Sequence, residues 1–482
     1  MVFSSIPFLF MFLPAFLAIY YILPKCLKNL FILIASLFFY AWGEPKYIII
    51  MLVSIMIDYI VGIVMWKYDN NDKVRKIALL VSVIVNLFLL GLFKYGIFIT
   101  DNLNALGIFG IDLNYPIFKI GSFEMPVRAL PPIGMSFFTF QSMSYTIDLY
   151  KRNIEVQKNP ISFAAFVTLF PQLVAGPIVR YSDIAKELDY RKHTLSMTYD
   201  GIMRFITGLG KKVLIANNIG LLWSQVKLMD TSELSVLTAW LGIIAFTFQI
   251  YFDFSGYSDM AIGLGKMLGF NFPKNFDYPY MSKDISEFWR RWHMTLGAWF
   301  KSYVYFPLGG SRKGMRRTVF NLAVVWTLTG IWHGASWNFI VWGCFYGVII
   351  IAEKLFLGRF LNKLPVFIRS GYVMLLVTLG WVLFDTADLT TAFRYMGVMF
   401  GIGGNGAFFD NPAHYALLNF SVILIICFIA CTDIWKRIYN RLYPKMSAVL
   451  NYGGIVYQSA VFVLVISYLV DAGFNPFLYF NF

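Results

Sequence analysis

Apolar stretches of bilayer-crossing length recur along the whole chain. A run of about 17–25 apolar residues fits the hydrocarbon core of a membrane as one helix. The pattern predicts spans at Val2–Leu23, Tyr47–Trp66, Ile77–Phe93, Ile133–Tyr150, Phe205–Trp223 and Leu237–Ser258. Further spans fall at Thr318–Asn338, Phe339–Ala352, Gly371–Phe384, Tyr415–Ile434 and Gly453–Val470. Leu30–Trp42 is a short span or a partial insertion, so the expected total is about 11–12. Ser162–Val179 is also apolar, but it contains Pro171, Gly176 and Pro177 and lies between basic stretches. It reads as a re-entrant segment, which requires protein or a cavity around it. The two halves show no repeat, and no linker divides them. The expectation is a single all-α membrane domain over 1–482.

Basic residues orient these spans. With Met1 outside, 34 of the 40 Lys and Arg fall in inner loops, the bias expected of cytoplasmic loops. The six exceptions are Lys46, Lys94, Lys119, Arg128, Lys227 and Arg394. The chain then ends outside. The inner stretch 259–317 is aromatic, basic and too polar to span a bilayer. It reads as amphipathic helices at the cytosolic interface. Its cations serve either as snorkelling anchors or as a grip on a polyanionic, phosphate-bearing cofactor.

Composition sharpens the class. Hydrophobic residues make up 59% of the 482 and charged residues 14%, against about 45–50% and 25% in soluble domains. That excludes a cytosolic globular enzyme, a disordered chain and a disulfide-rich secreted domain. The aromatic content of 19% suits interfacial belts. The net charge of +14 is accounted for by the inner loops and does not call for nucleic acid. Cys26, Cys344, Cys427 and Cys431 form no CxxC pair, so neither a metal site nor a disulfide framework is expected. The first apolar run lacks a basic leader and a cleavage site and reads as a retained span.

Few ionisable residues lie in apolar surroundings. His333 sits inside VVWTLTGIWHGASWNFIVWG, where an ionisable group is costly and function is the default reading. The plain alternative is a neutral imidazole bonded to a carbonyl between Trp332 and Trp337. His293 lies in the basic amphipathic stretch and gains meaning only if the fold brings it towards His333. Imidazole is suited to proton transfer near neutral pH. No carboxylate or thiolate at ligand spacing accompanies the pair, so no metal is expected. His193 and His414 read as surface residues. Asp253, Ser255, Tyr257 and Asp259 read as a helix cap or a cavity mouth, and Gln141 and Asp148 pose the same question one span earlier. The last residues, 477–482, are FLYFNF. They serve as an interfacial anchor or as a plug presenting the Tyr479 hydroxyl.

Six stretches together resemble the membrane-bound O-acyltransferase (MBOAT) family, in its bacterial alginate O-acetylation branch. They are FYAWGEPKY (39–47), IGMSFFTFQSMSYTIDLYKR (133–152), FPQLVAGPIVRYSDI (170–184), FDFSGYSDMAIG (252–263), FWRRWHMTLGAWFKSYVYFPLGGSR (288–312) and GIWHGASWNFIVWG (330–343). The order and spacing of the motifs carry the likeness, which runs from the first span to the last residues.

The resemblance implies an MBOAT fold, a ring of tilted helices around a central funnel. It places the family's essential His on His333 and its second motif position on His293. It makes FLYFNF similar to the aromatic Tyr motif carried by a small partner peptide in teichoic-acid D-alanylation, here fused to the chain. The implied activity is transfer of acetyl groups from cytosolic acetyl-CoA across the bacterial inner membrane for O-acetylation of an extracytoplasmic polysaccharide. Arg290, Arg291 and Arg312 would hold the cofactor phosphates and His333 would act as general base. Tyr479 would be the acyl acceptor, and His293 would orient His333 or hold the thioester carbonyl. The chain has no GxSxG-type nucleophile, so a separate extracytoplasmic SGNH or esterase-like acetyltransferase is the implied partner, with a polysaccharide such as alginate or peptidoglycan as acceptor. The competing readings are D-alanyl transfer from a carrier protein to teichoic acid and, in a different class, a transporter, which the missing repeat disfavours.

Overall fold

The computed structural model describes residues 1–107, 116–120, 123–126 and 132–471. Helices α1 (Phe8–Ile22), α2 (Lys25–Ala41), α3 (Ile48–Lys67) and α4 (Asp72–Ala105) come first. An antiparallel hairpin follows, β1 (Pro116–Ile120) with β2 (Phe123–Pro126). It is a small addition to an otherwise helical body. Helix α5 (Met135–Tyr150) leads into the short helices α6 (Pro160–Thr168), α7 (Phe170–Leu173) and α8 (Tyr181–Asp189). Helices α9 (195–227) and α10 (Val236–Met267) are long, whereas α11 (Ile285–Arg291) and α12 (Met294–Phe300) are short. The described chain closes with α13 (Met315–His333), α14 (Trp337–Leu361), α15 (Val366–Asp385), α16 (Leu389–Met399), α17 (Asn411–Ala430) and α18 (Ile434–Asp471).

Seven of these, α3, α4, α10, α14, α15, α17 and α18, are long and apolar enough to cross a membrane. Other expected spans are helices too, but shorter or more polar. Helix α5 has 16 residues, of which nearly all are buried. A helix enclosed by protein on every side need match the bilayer in neither length nor polarity. The proline-bearing segment 160–179 is likewise encased. Its helices break at Leu169, and Phe163, Phe166 and Phe170 are fully buried.

The basic loops gather at one pole. Lys25 lies over Tyr190, Arg152 reaches Asp69, Lys151 reaches Ser302 and Arg369 reaches Lys283. At the opposite pole Lys227 pairs with Asp385, Asp410 holds Ser235 and Thr238, and Trp337 bonds Asn102. The charge asymmetry of the sequence is therefore an asymmetry of the molecule.

Helix α10 is the axis of the bundle and is mostly buried. It contacts α9 closely because glycines face each other, and a Cβ at Gly208 would stand 2.5 Å from the Gly256 carbonyl oxygen. Small residues of this kind let helix backbones approach in a membrane. The polar cluster at 253–259 belongs to this contact. It lies within α10 and is neither its cap nor a cavity mouth. Lys212 pairs with Asp253 at 2.5 Å, and Asp259 takes Lys211 at 2.7 Å and Arg204 at 2.9 Å. Pairing makes such charges tolerable when buried. Asp58 is a further buried carboxylate, which accepts from Ser82 (2.6 Å), Asn86 and Ser142. It ties α3 and α4 to α5, and α5 presents Phe137 and Phe140 to the site.

Candidate active site

His333 is the last residue of α13. The chain leaves the helix at Gly334, which is extended (φ −170°, ψ 162°), and re-enters α14 after Ser336. The two helices meet closely here, since a Cβ at Gly330 would lie 2.4 Å from the Phe339 carbonyl oxygen. The imidazole is 7% exposed and is packed against Trp332, Trp342 and Phe384 with ring centroids 4.9, 4.8 and 5.4 Å away. Its Nε2 has no hydrogen-bond partner among the described residues.

A helix end leaves four carbonyls without intrahelical partners. Here two neighbouring side chains supply partners for three of them. Lys94 Nζ donates to the carbonyls of Trp332 (2.7 Å) and His333 (3.2 Å), and the Tyr95 hydroxyl donates to that of Ile331 (2.6 Å). Both come from a wide π-turn at Gly91–Tyr95 within α4, a feature common at functional sites. A cation is well placed at the negative end of the helix dipole. Lys94→Met should therefore lower the unfolding free energy by about 2 kcal/mol, the cost of leaving such acceptors unpaired. Lys94→Arg should recover most of it. Thermal unfolding in detergent measures both, and equal midpoints for the Met variant and the wild type would remove Lys94 from this role.

His293 stands between α11 and α12 with φ +44°, a region uncommon for a residue other than glycine. It is 2% exposed. Its Nδ1 lies 3.1 Å from Asn275 Oδ1, which also accepts from the Thr295 backbone N–H (3.2 Å) and hydroxyl (2.9 Å). Asn275 Nδ2 donates to Ser258 Oγ at 2.9 Å. A backbone N–H only donates, so the atom it meets is the amide oxygen. Nδ1 of His293 must then carry the proton, and Nε2 holds a lone pair. That Nε2 is buried and unpartnered among the described residues, as is Trp332 Nε1. Trp332 lies between the two histidines, 6.0 Å from His293 and 4.9 Å from His333. Three buried ring nitrogens without partners are the mark of a site built for a polar ligand.

A cavity of about 430 Å³ leads to His293, with Arg290, Lys301 and Tyr305 among its lining residues and Trp289, Trp292 and Trp326 as aromatic walls. Of the three arginines expected to bind phosphates, only Arg290 faces it. Arg291 is held by Glu287 at 2.7 Å and by the Asp277 carbonyl at 3.2 Å. The i,i+4 spacing on α11 turns it from the cavity. Arg312 is exposed in the turn before α13 and does not line the cavity. Tyr479 and the segment 477–482 lie outside the described residues. Among the described residues no three His, Cys, Asp or Glu side chains gather to hold a metal ion.

Other expected positions resolve as follows. Asp148 accepts from the Tyr303 hydroxyl at 2.6 Å, whereas Gln141 is buried with both amide atoms unpartnered among the described residues. Cys427 and Cys431 are buried and free, as packing residues would be. His414 is exposed, but His193 is half-buried and reaches the Tyr20 hydroxyl at 3.3 Å. Lys94, Tyr95 and Asn275 were not expected at the site from the sequence, and Lys301 belonged only to the general set of cations in 259–317. Lys94 did carry a signal as one of the six cations outside the inner loops. Asn275 carried none.

Two buried imidazoles stand on either side of Trp332, and one of them, His293, meets an aromatic-walled cavity with Arg290 and Lys301 in its lining; this is the candidate site of a polytopic membrane protein. Residues 34–378 match the membrane-bound O-acyltransferase family, and the chain belongs to it as a multi-pass membrane O-acyltransferase. Over 501 residues and all of both chains it is 37% identical to the probable alginate O-acetylase AlgI of Pseudomonas putida. The peptidoglycan O-acetyltransferase of Helicobacter pylori is 34% identical over 444 residues, 84% of this chain and 80% of that one. The teichoic acid D-alanyltransferase of Bacillus subtilis is 27% identical over 241 residues, 48% of this chain and 61% of its own.

Proposed function

We propose that this enzyme takes an acetyl group from cytosolic acetyl-CoA and delivers it across the bacterial inner membrane for O-acetylation of an extracytoplasmic polysaccharide. The observation that carries the reading is the unpartnered Nε2 of His293, buried at the cavity that Arg290 and Lys301 line, with His333 beyond Trp332. The residues present fit the donor: Arg290 and Lys301 meet its phosphates, and the aromatic walls take the slender pantetheine arm. The donor supplies an activated thioester.

His333 takes the proton of the acceptor hydroxyl as the oxygen attacks the thioester carbonyl, and it returns that proton to the leaving thiolate. Each such proton transfer is worth about 10²–10⁴ in rate. The lone pair on His293 Nε2 alters the role expected for that residue. An acceptor nitrogen cannot donate to a carbonyl oxygen, so His293 orients the donor by accepting from an amide N–H. Tyr479 is the proposed first acceptor, as a covalent carrier that splits the transfer in two. A separate SGNH or esterase-like transferase then passes the acetyl group to the polymer. Relatives named as O-acetylating enzymes cover 84–100% of the chain, against 48% for the D-alanyltransferase, which favours acetyl over alanyl transfer.

The test uses purified full-length protein and isotope-labelled acetyl-CoA, quenched and mapped by peptide mass spectrometry. Label on Tyr479 that is absent from His333→Ala is the expected result. Label elsewhere, or none while Tyr479→Phe still exports acetyl groups, would sink the tyrosyl relay. Charging from an alanyl carrier protein alone would shift the donor.

A further inference from the structure

A second cavity, of about 740 Å³, opens at the basic pole and shares no lining residue with the first. The first turn of α2 contributes Lys25 and Lys28. The segment between α8 and α9 contributes Arg191, Lys192 and His193. Four basic side chains, Lys25, Lys28, Arg191 and Lys192, thus face it against one carboxylate, Asp189, which is already engaged by Gln157 Nε2 at 3.2 Å.

The cations are built in rather than scattered. Lys28 is 8% exposed, and its ammonium sits 4.5 Å over the Tyr20 ring with no hydrogen-bond acceptor among the described residues. Arg191 donates from Nε to the Tyr20 hydroxyl (3.2 Å) and from Nη1 to the Glu187 carbonyl (3.1 Å), and its guanidinium packs on Phe270. It too has no carboxylate partner among the described residues. The Tyr20 hydroxyl is itself anchored on the Leu268 carbonyl at 2.7 Å, so the floor of the cavity is tied to the end of α10. Burial, and then the charges of Lys28, Arg191 and Lys25, hold the His193 imidazole below its ordinary value. Sequestering like charges without a counter-charge is unfavourable, and an anion removes that cost.

Phosphate oxygens match this arrangement of guanidinium and ammonium donors. The place of the cavity indicates the source of the phosphate. It lies where the apolar helices α1 and α2 end, and Ile22, Leu27 and Leu195 stand 84%, 43% and 91% exposed beside it. A phosphate at headgroup depth with apolar surface next to it describes a lipid, and basic pockets between membrane helices take anionic headgroups. A soluble anion has no use for the apolar rim.

We propose that this cavity binds the phosphate of an anionic phospholipid from the leaflet at the basic pole, at a site separate from the catalytic histidines. Full-length protein, delipidated in detergent, would be titrated with short-chain phosphatidylglycerol and read by native mass spectrometry. Phosphatidylcholine of the same chain length, inorganic phosphate and CoA are the comparison ligands. The double variant Lys28→Gln with Arg191→Gln should weaken phosphatidylglycerol binding at least tenfold and leave phosphatidylcholine binding unchanged. Because Lys28 is buried, the rim pair Lys25→Gln with Lys192→Gln provides a version that does not disturb the core, with a loss of about threefold expected. Unchanged phosphatidylglycerol affinity in a folded variant of either pair overturns the proposal. So does full displacement of the lipid by phosphate or CoA, which would make this a soluble-anion site.

Discussion

His333→Gln should reduce acyl transfer by about 10³-fold or more while the protein still inserts and folds. The glutamine fills most of the imidazole's volume between Trp332, Trp342 and Phe384, so the packing loss is small. It removes the basic nitrogen. Loss of a positioned general base costs about 10²–10⁴, and Lys94 offers no substitute, since it is committed to backbone carbonyls. His333→Ala should be equally inactive and also less stable, because the vacated space adds a cavity penalty of the kind known for large-to-small changes. The comparison separates chemistry from packing. Turnover by the Gln variant within tenfold of wild type, at equal protein and equal thermal midpoint, would remove His333 as the base.

The second large effect belongs to Asn275, far from His293 in the usual sense of a motif but bonded to it. Asn275→Leu should lower turnover by about 10²-fold. It leaves Thr295 N–H and His293 Nδ1–H without an acceptor and releases the imidazole tautomer. Where an acceptor fixes a catalytic histidine, loss of the right tautomer is costly. Asn275→Asp retains an acceptor oxygen at the same place and should keep turnover within about tenfold of wild type. Steady-state rates on the three proteins decide it. Equal losses in the Asp and Leu variants would mean that Asn275 supports the loop and not the tautomer.

Much of the membrane body was legible because its signal is local. A bilayer span declares itself in about twenty consecutive side chains, and α3, α14, α15 and α17 overlap the expected runs to within several residues at most ends. The orientation bias was legible for the same reason, since each basic loop carries its own charge. Span counting worked less well for α5, which is short, and for α9, which carries Arg204, Lys211 and Lys212 inside the bundle. The charges of α9 are matched by partners on α10, 48 positions away for Lys211 and 55 for Arg204, and so distant a partner leaves no local trace. The same reasoning explains the cluster at 253–259, whose charges looked terminal and are interhelical.

At the site, His333 stood out because an ionisable group in an apolar run is conspicuous on its own, and His293 stood out only beside it. Arg290 and Arg291 are adjacent in sequence but not in direction. On α11, adjacent residues point about 100° apart, so Arg290 reaches the cavity and Arg291 reaches Glu287. Lys301, eleven positions from Arg290, lines the same cavity after a helix break at His293.

The sequence by itself determined the membrane class, the two poles, the family through its spaced motifs, and the histidine most in need of explanation. Each is written in composition, in local periodicity or in a short string of residues. Only the tertiary structure decided that Lys94 and Tyr95 close the helix bearing His333, that Asn275 sets which nitrogen of His293 is free, and that Arg290 alone of the three arginines faces the cavity. These depend on the direction of single side chains across helices that pack through glycines and aromatic rings. Such directions are set by the sum of many long-range contacts, which no local pattern encodes.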